Sequence, residues 1–179
     1  MANSSLVDRK PVTSHLEDLH SLIRRNTFVF LIASAVITIW VETILNNWSL
    51  SQSPSGALSV YGPYDWIEMR FMAVIIIASV ISLPFFSLDL RFFANAGLLS
   101  NEKRWLDTYL ISNAIIVPSI LYWVWFSMIP YYIEAGIQLD SISSVTPRYD
   151  ASELFALASG ISWILILTFT STLFLSLSR

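Results

Sequence analysis

The residues that could carry out chemistry are few, and their spacing does not suit catalysis. His15 and His20 are the only histidines, and a separation of five residues does not place two ligands on one helical face as three or four would. The chain has no cysteine, which excludes disulfides, thiolate metal sites and cysteine catalysis. No Gly-rich phosphate loop is present, and both histidines precede the first apolar stretch, so the serines beyond it lack a histidine partner. The sequence therefore predicts no enzyme, no cofactor and no metal site.

Carboxylates occur in two segments that flank the apolar stretches. Residues 14–24 contain Glu17 and Asp18, and residues 91–104 combine aromatic side chains with Glu102. The residues by themselves favour an interpretation of these groups as solvated charge at helix ends.

The composition identifies the class of protein to which these segments belong. Of 179 residues, 55% are hydrophobic and only 13% are charged, whereas an ordinary soluble domain carries about 25% charged residues. A soluble fold would need more charge to cover its surface, but a bilayer supplies an apolar solvent. The net charge of −3 provides no basic surface for a phosphate backbone, so nucleic acid is not an expected partner. We therefore expect an integral membrane protein.

Four apolar stretches are long enough to cross a bilayer, which takes about 20 helical residues. The sequence thus predicts an all-α integral membrane protein, with a cytoplasmic amphipathic segment over residues 1–27 and a transmembrane helical domain over residues 28–179. Prolines inside the apolar stretches free backbone carbonyls that hydrocarbon cannot satisfy, which favours a packed bundle. The expected spans cover about residues 28–45, 71–88, 109–133 and 154–177.

The distribution of basic residues predicts the orientation. Eight of the ten fall before the first span, between the second and third, or after the fourth, and only Arg70 and Arg148 fall elsewhere. By the positive-inside rule both termini are cytoplasmic. Residues 46–69 are rich in Ser, Gly and Pro and are predicted to form an outer loop. Arg24 and Arg25 before an apolar run could also suggest a cleavable export signal, but the run continues past the small-residue triplet 33–35, which favours a retained first span.

Two motifs on the predicted cytoplasmic side resemble the TatC family, the multi-spanning subunit of the twin-arginine protein translocase. The family carries H-L-x-E-L-R at the start of its first helix, where this chain has the H-L of His15 and then Asp18 and Leu19, with His20 in place of the arginine. The family also has a proline near the end of the second span, followed by an aromatic loop that ends in G-L-x-x-x-E-[RK]-[RK]. The residues that match this second motif are Pro84, Phe93, Gly97, Leu98, Glu102, Lys103 and Arg104.

The resemblance implies binding and passage rather than a reaction. The expected partners are twin-arginine signal peptides of folded cargo, single-span subunits like TatA and TatB, the lipid bilayer, and further copies or subunits in a homo- or hetero-oligomer. The implied location is a cell membrane or the equivalent organellar membrane. The candidate signal-peptide-binding residues are Asp18, Glu102, Glu17, Phe93 and Leu99.

The chain departs from the family in two respects. TatC proteins resemble a six-helix glove, whereas this sequence has apolar stretches for four spans, as expected of a fragment or of a divergent relative. The fourth span of the family usually carries an acidic or amide residue, and Ile164 or Phe169 occupies that place here. A structural or assembly subunit of a larger membrane complex is the alternative function. A small transporter ranks third, because the ionisable candidates Glu42 and Asp107 lie near span ends.

Overall fold

The computed structural model describes residues 12–52, 58–95, 98–140 and 149–177, and the fold described below is that of these residues. Five α-helices, a short π-helical segment and two very short strands follow one another along the chain. The elements are α1 (Val12–Gln52), β1 (Leu58–Ser59), α2 (Pro63–Asn95), α3 (Ser100–Trp123), the π segment (Val124–Met128), α4 (Ile129–Asp140), β2 (Tyr149–Asp150) and α5 (Ala151–Leu177).

Four helical rods are long and apolar enough to cross a membrane. Three of them are α1, α2 and α5, and the fourth is continuous from α3 through the π segment into α4. The predicted all-α membrane fold with about four spanning helices is thus confirmed.

The connection between the first two spans is shorter than predicted. Helix α1 extends to Gln52, and α2 already begins at Pro63, so much of the expected loop over residues 46–69 is helical. Two local features explain the difference. Trp48 and Gln52 are buried, which holds the last turn of α1 against the bundle. Pro63 favours the first turn of α2, because the backbone N–H groups of a first turn have no partner within the helix and proline has no such N–H. Asp65 also favours this turn, because its carboxylate complements the positive end of the helix dipole.

Helix α1 packs through one stripe of its surface. Val41, Leu45, Trp48 and Gln52 are buried and recur every three or four residues, the spacing that places side chains on one face of an α-helix. Much of the remaining surface is exposed and apolar, as expected of a helix that faces lipid. Helix α1 packs against α2 and α4.

An aromatic cluster lies where α1, the π segment and α5 meet. Trp125 and Phe155 meet edge to face with ring centroids 4.5 Å apart, and Trp48 lies 5.5 Å from Trp125 and 5.8 Å from Phe155. Offset and edge-on aromatic contacts of this kind are favourable beyond the area they bury. This cluster fixes α1 against α5.

The π segment leaves a backbone carbonyl that a side chain satisfies. The N–H of Ile129 donates to the carbonyl of Val124, five residues earlier. The carbonyl of Trp125 therefore loses its usual α-helical donor, and its π-helical donor would be Pro130, which has no N–H. Gln52 supplies the missing donor, because its Nε2 lies 2.9 Å from the Trp125 carbonyl oxygen. This bond ties the end of α1 to the third span.

Candidate functional site

The start of α1, the end of α2, the start of α3 and the end of α5 meet at one end of the bundle, which we call the basic end. Ion pairs join α1 to α2 and α2 to α3 here, and Trp105 of α3 meets Phe174 of α5 with ring centroids 5.4 Å apart. Five basic residues of the described chain lie at this end, namely Arg24, Arg25, Arg91, Lys103 and Arg104.

The first ion pair at the basic end involves Asp89 of α2. Its Oδ2 accepts hydrogen bonds from Arg25 Nε at 2.6 Å and from Asn26 Nδ2 at 2.8 Å. The Asp89 side chain is only 11% exposed, whereas that of Arg25 is 63% exposed. Two donors from α1 therefore converge on one nearly buried carboxylate of α2, which fixes the relative position of the two helices.

The second ion pair links α2 to α3. Arg91 Nε lies 2.7 Å from Asp107 Oδ1, and Arg91 Nη2 lies 2.9 Å from Asp107 Oδ2. This two-point arrangement is the strongest geometry available to an arginine and a carboxylate. Asp107, one of the residues considered for a transport pathway, is thus engaged by an arginine of the same chain. Glu42, the other residue considered for such a pathway, lies toward the opposite end of the bundle, where its Oε2 is 3.3 Å from Arg70 Nη2.

Glu102 occupies the first turn of α3. Its Oε2 accepts the backbone N–H of Leu99 at 2.9 Å, which satisfies a donor that the helix start would otherwise leave unpaired. The residue remains exposed, and its other carboxylate oxygen forms no hydrogen bond within the described part of the chain. Arg104, the expected competitor for this acid, forms no ion pair with it among the described residues.

The other predicted site residues lie on different elements of the basic end. Glu17 and Asp18 are exposed on α1, Phe93 is half-buried near the end of α2, and Leu99 is exposed just before α3. The structure brings Leu99 and Glu102 together directly. Helix α1 packs against α2, and α2 packs against α3, so α2 connects the two predicted acidic segments. The side chain of His15 lies outside the described residues.

Asp89 is the residue that sequence reasoning missed. It lies one residue beyond the predicted end of the second span, on the same side as Arg24 and Arg25, and this position is the signal that could have revealed it. Asp89 and Asp107 each bind the guanidinium group of an arginine of this chain, so carboxylates at the basic end already bind guanidinium groups. Among the described side chains, no three His, Asp or Glu groups form a metal-binding cluster.

The fourth span places small polar groups, not an acid, toward the bundle. Ile164 points outward with 66% of its surface exposed, and Phe169 is half-buried. Ser159 and Ser162 are buried one turn apart on the inner face of α5. The buried polar groups that α5 presents to the bundle are therefore the hydroxyls of these two serines.

Comparison with known protein families gives a single assignment that covers nearly the whole chain. A family model described as Sec-independent protein translocase protein (TatC) matches residues 14–178. No curated protein matches the chain, and no solved structure does. The matched range contains both sequence motifs, all four membrane-spanning rods and the basic end. The chain therefore belongs to the TatC family of multi-spanning membrane proteins, and its role lies in Sec-independent twin-arginine translocation.

Proposed function

We propose that the basic end faces the cytoplasm and binds the twin-arginine signal peptides of folded cargo, and that the chain then recruits single-span partner subunits. The proposal assigns recognition and passage to the chain and no chemical reaction. Five of the six basic residues in the described part of the chain lie at the basic end, which supports the orientation by the positive-inside rule.

The observation that carries the proposal is the contrast between Glu102 and its acidic neighbours. Asp89 and Asp107 are occupied by Arg25 and Arg91. Glu102 is held in place by the Leu99 N–H and still exposes its carboxylate. An ordered, exposed carboxylate is suited to bind an incoming guanidinium, because little side-chain entropy remains to be lost on binding.

A pair of arginines requires a second acidic group, and α1 supplies two candidates at the same end. Asp18 lies within the first motif and Glu17 beside it, and both side chains are exposed. Helix α1 reaches α3 through α2, whose position is fixed by the ion pairs of Asp89 and Arg91. We assign the main role to Asp18 and an auxiliary one to Glu17.

The apolar part of a signal peptide would lie beside these acids. Leu99, 73% exposed next to Glu102, is the first candidate for an apolar contact at the membrane boundary, and the half-buried Phe93 near the end of α2 is the second. Replacing Leu99 with Ala should weaken binding without affecting the Leu99 N–H that Glu102 accepts, because that donor belongs to the backbone.

Membership of the TatC family supports recruitment of TatA-like and TatB-like subunits. The apolar outer faces of the spans are available to lipid, to such subunits or to further copies of this chain. This part of the proposal predicts co-purification of single-span subunits with the chain from mild detergent.

The proposal is tested by site-specific crosslinking in membranes to a signal peptide that carries either two arginines or two lysines. A photoreactive group at Leu99 should capture the arginine peptide strongly and the lysine peptide weakly, because lysine lacks the planar fork of donors. Equal capture of the two peptides would contradict recognition of an arginine pair.

A further inference from the structure

A groove between α2, α3 and α5 runs through the membrane-spanning part of the bundle. Its cavity volume is about 340 Å³. At one end it reaches Leu90 and Tyr109. Leu90 follows Asp89 on α2, and Tyr109 lies two residues after Asp107 on α3, so this end of the groove lies beside the basic end. Most of its wall is apolar, but six Ser, Thr and Asn side chains also line it, namely Ser79, Ser87, Asn113, Ser159, Ser162 and Thr170.

Asn113 contributes an acceptor that lacks a partner. Its side chain is 6% exposed, and its Nδ2 donates to the Tyr109 carbonyl at 2.9 Å. This bond fixes the orientation of the amide, because only the nitrogen can donate to a carbonyl. Asn113 lines the groove, and its buried Oδ1 is an acceptor that has no hydrogen-bond partner among the residues that the structure describes.

Ser159 contributes a second unpaired group farther along the groove. Its side chain is 8% exposed, and its hydroxyl has no partner within the described parts of the chain. Ser162, one turn later on α5, shows the contrast. Its Oγ donates to the Ala158 carbonyl at 2.7 Å and accepts the Trp125 Nε1–H at 3.2 Å. The lack of a hydrogen-bond partner is thus specific to the Ser159 hydroxyl and is not shared by the neighbouring buried serine of this helix.

Hydrocarbon cannot satisfy these groups, because a lipid acyl chain neither donates nor accepts a hydrogen bond. A cavity binds water when it is polar and roomy enough, and the volume here accommodates several molecules. We propose that this groove is a water-binding site within the membrane, where water donates to Asn113 Oδ1 and bonds to the Ser159 hydroxyl. Water enters at the basic end, beside Leu90 and Tyr109.

The absence of cysteine from the chain allows a direct test with single-cysteine variants of the full chain in membranes. Ser159→Cys places a thiol in the groove, and Gly160→Cys places one at the adjacent residue. Gly160 is exposed, and a Cβ built there meets nothing within 4 Å, so its thiol faces outward toward lipid. The probe is 2-aminoethyl methanethiosulfonate, which reacts with the thiolate, a form that exists in water and not in hydrocarbon.

The expected result is modification of Ser159→Cys about tenfold or more faster than Gly160→Cys, with equal modification of both after denaturation. Equal rates, or a slower rate at Ser159→Cys, would overturn the proposal. Asn113→Cys and the outward-facing Ile115→Cys form a second pair on α3, with the same expected order. This pair decides the question if Ser159→Cys fails to insert, and equal rates within it would likewise overturn the proposal.

Discussion

Asp89 of α2 accepts hydrogen bonds from both Arg25 and Asn26 of α1, through one carboxylate oxygen. The two donors are adjacent in sequence and lie more than 60 residues from Asp89 along the chain. A single acidic side chain thus sets the packing of the first two spans at the end where the candidate signal-peptide residues lie.

Arg25→Gln should destabilise the bundle, because it leaves the nearly buried Asp89 without its cationic partner. A hydrogen bond to a charged group contributes about 1.5–3 kcal/mol, and the exposure of Arg25 reduces the expected loss to roughly 1–2 kcal/mol. Unfolding in detergent measures the free-energy change. The control is Arg24→Gln, since Arg24 is exposed and has no hydrogen-bond or ion-pair partner in the described part of the chain. Equal losses in the two variants would remove the special role of the Asp89 contact.

Gln52→Leu should destabilise the protein by about 1–3 kcal/mol, because it leaves the Trp125 carbonyl without a donor in a buried environment. The variant keeps the approximate volume of the side chain, so the loss reports on the hydrogen bond more than on packing. Gln52→Glu is the companion variant, since a carboxylate cannot donate to that carbonyl when ionised and should be at least as harmful. A stability equal to that of the unsubstituted protein in both variants would show that the carbonyl needs no donor.

Asp150→Ala should cost about 1 kcal/mol, because Asp150 acts as a helix N-cap. Its Oδ1 accepts both the backbone N–H and the hydroxyl of Ser152 at 2.8 Å, just inside the start of α5. Asp150→Asn should be nearly neutral, because asparagine caps helices equally well. Glu153→Gln, an exposed change in the same turn, serves as the comparison. A loss in Asp150→Asn as large as in Asp150→Ala would indicate that the charge, not the cap, matters.

The orientation is tested by cysteine labelling at the two ends of the bundle. Asn101→Cys at the basic end and Tyr61→Cys near the start of α2 are both exposed positions. An impermeant maleimide added to sealed cells should label Tyr61→Cys and leave Asn101→Cys unlabelled until the membrane is opened. The reverse pattern would place the basic end outside.

Sequence reasoning predicted the spans because their signal is strong and local. An uninterrupted apolar stretch of about 20 residues has few other stable environments, and this holds for each of the four rods. The helical conformation of residues 46–52 was not predicted, since the burial of Trp48 and Gln52 depends on contacts with distant helices. Similarly, the bond from Gln52 to Trp125 requires a π turn whose only visible sign in the sequence is Pro130.

Part of the candidate site could be predicted from the sequence for the same reason. Glu102 belongs to a motif in which spacing along the chain is informative, and its capping of Leu99 is a local interaction. The pairing of Arg25 with Asp89 joins two helices and has no local pattern. The sequence thus revealed the exposed acids of the basic end more readily than the ion pairs that hold its helices together.

The most direct test of the account measures crosslinking of a twin-arginine signal peptide to membranes that contain Asp18→Asn, Glu102→Gln or Glu17→Gln. Glu102→Gln removes only the charge, because a glutamine oxygen can still accept the Leu99 N–H and preserve the start of α3. Insertion and protein level are checked for every variant. We predict strong loss of crosslinking in Asp18→Asn and Glu102→Gln and nearly normal crosslinking in Glu17→Gln. Unchanged crosslinking in both Asp18→Asn and Glu102→Gln would contradict an acidic receptor at the basic end.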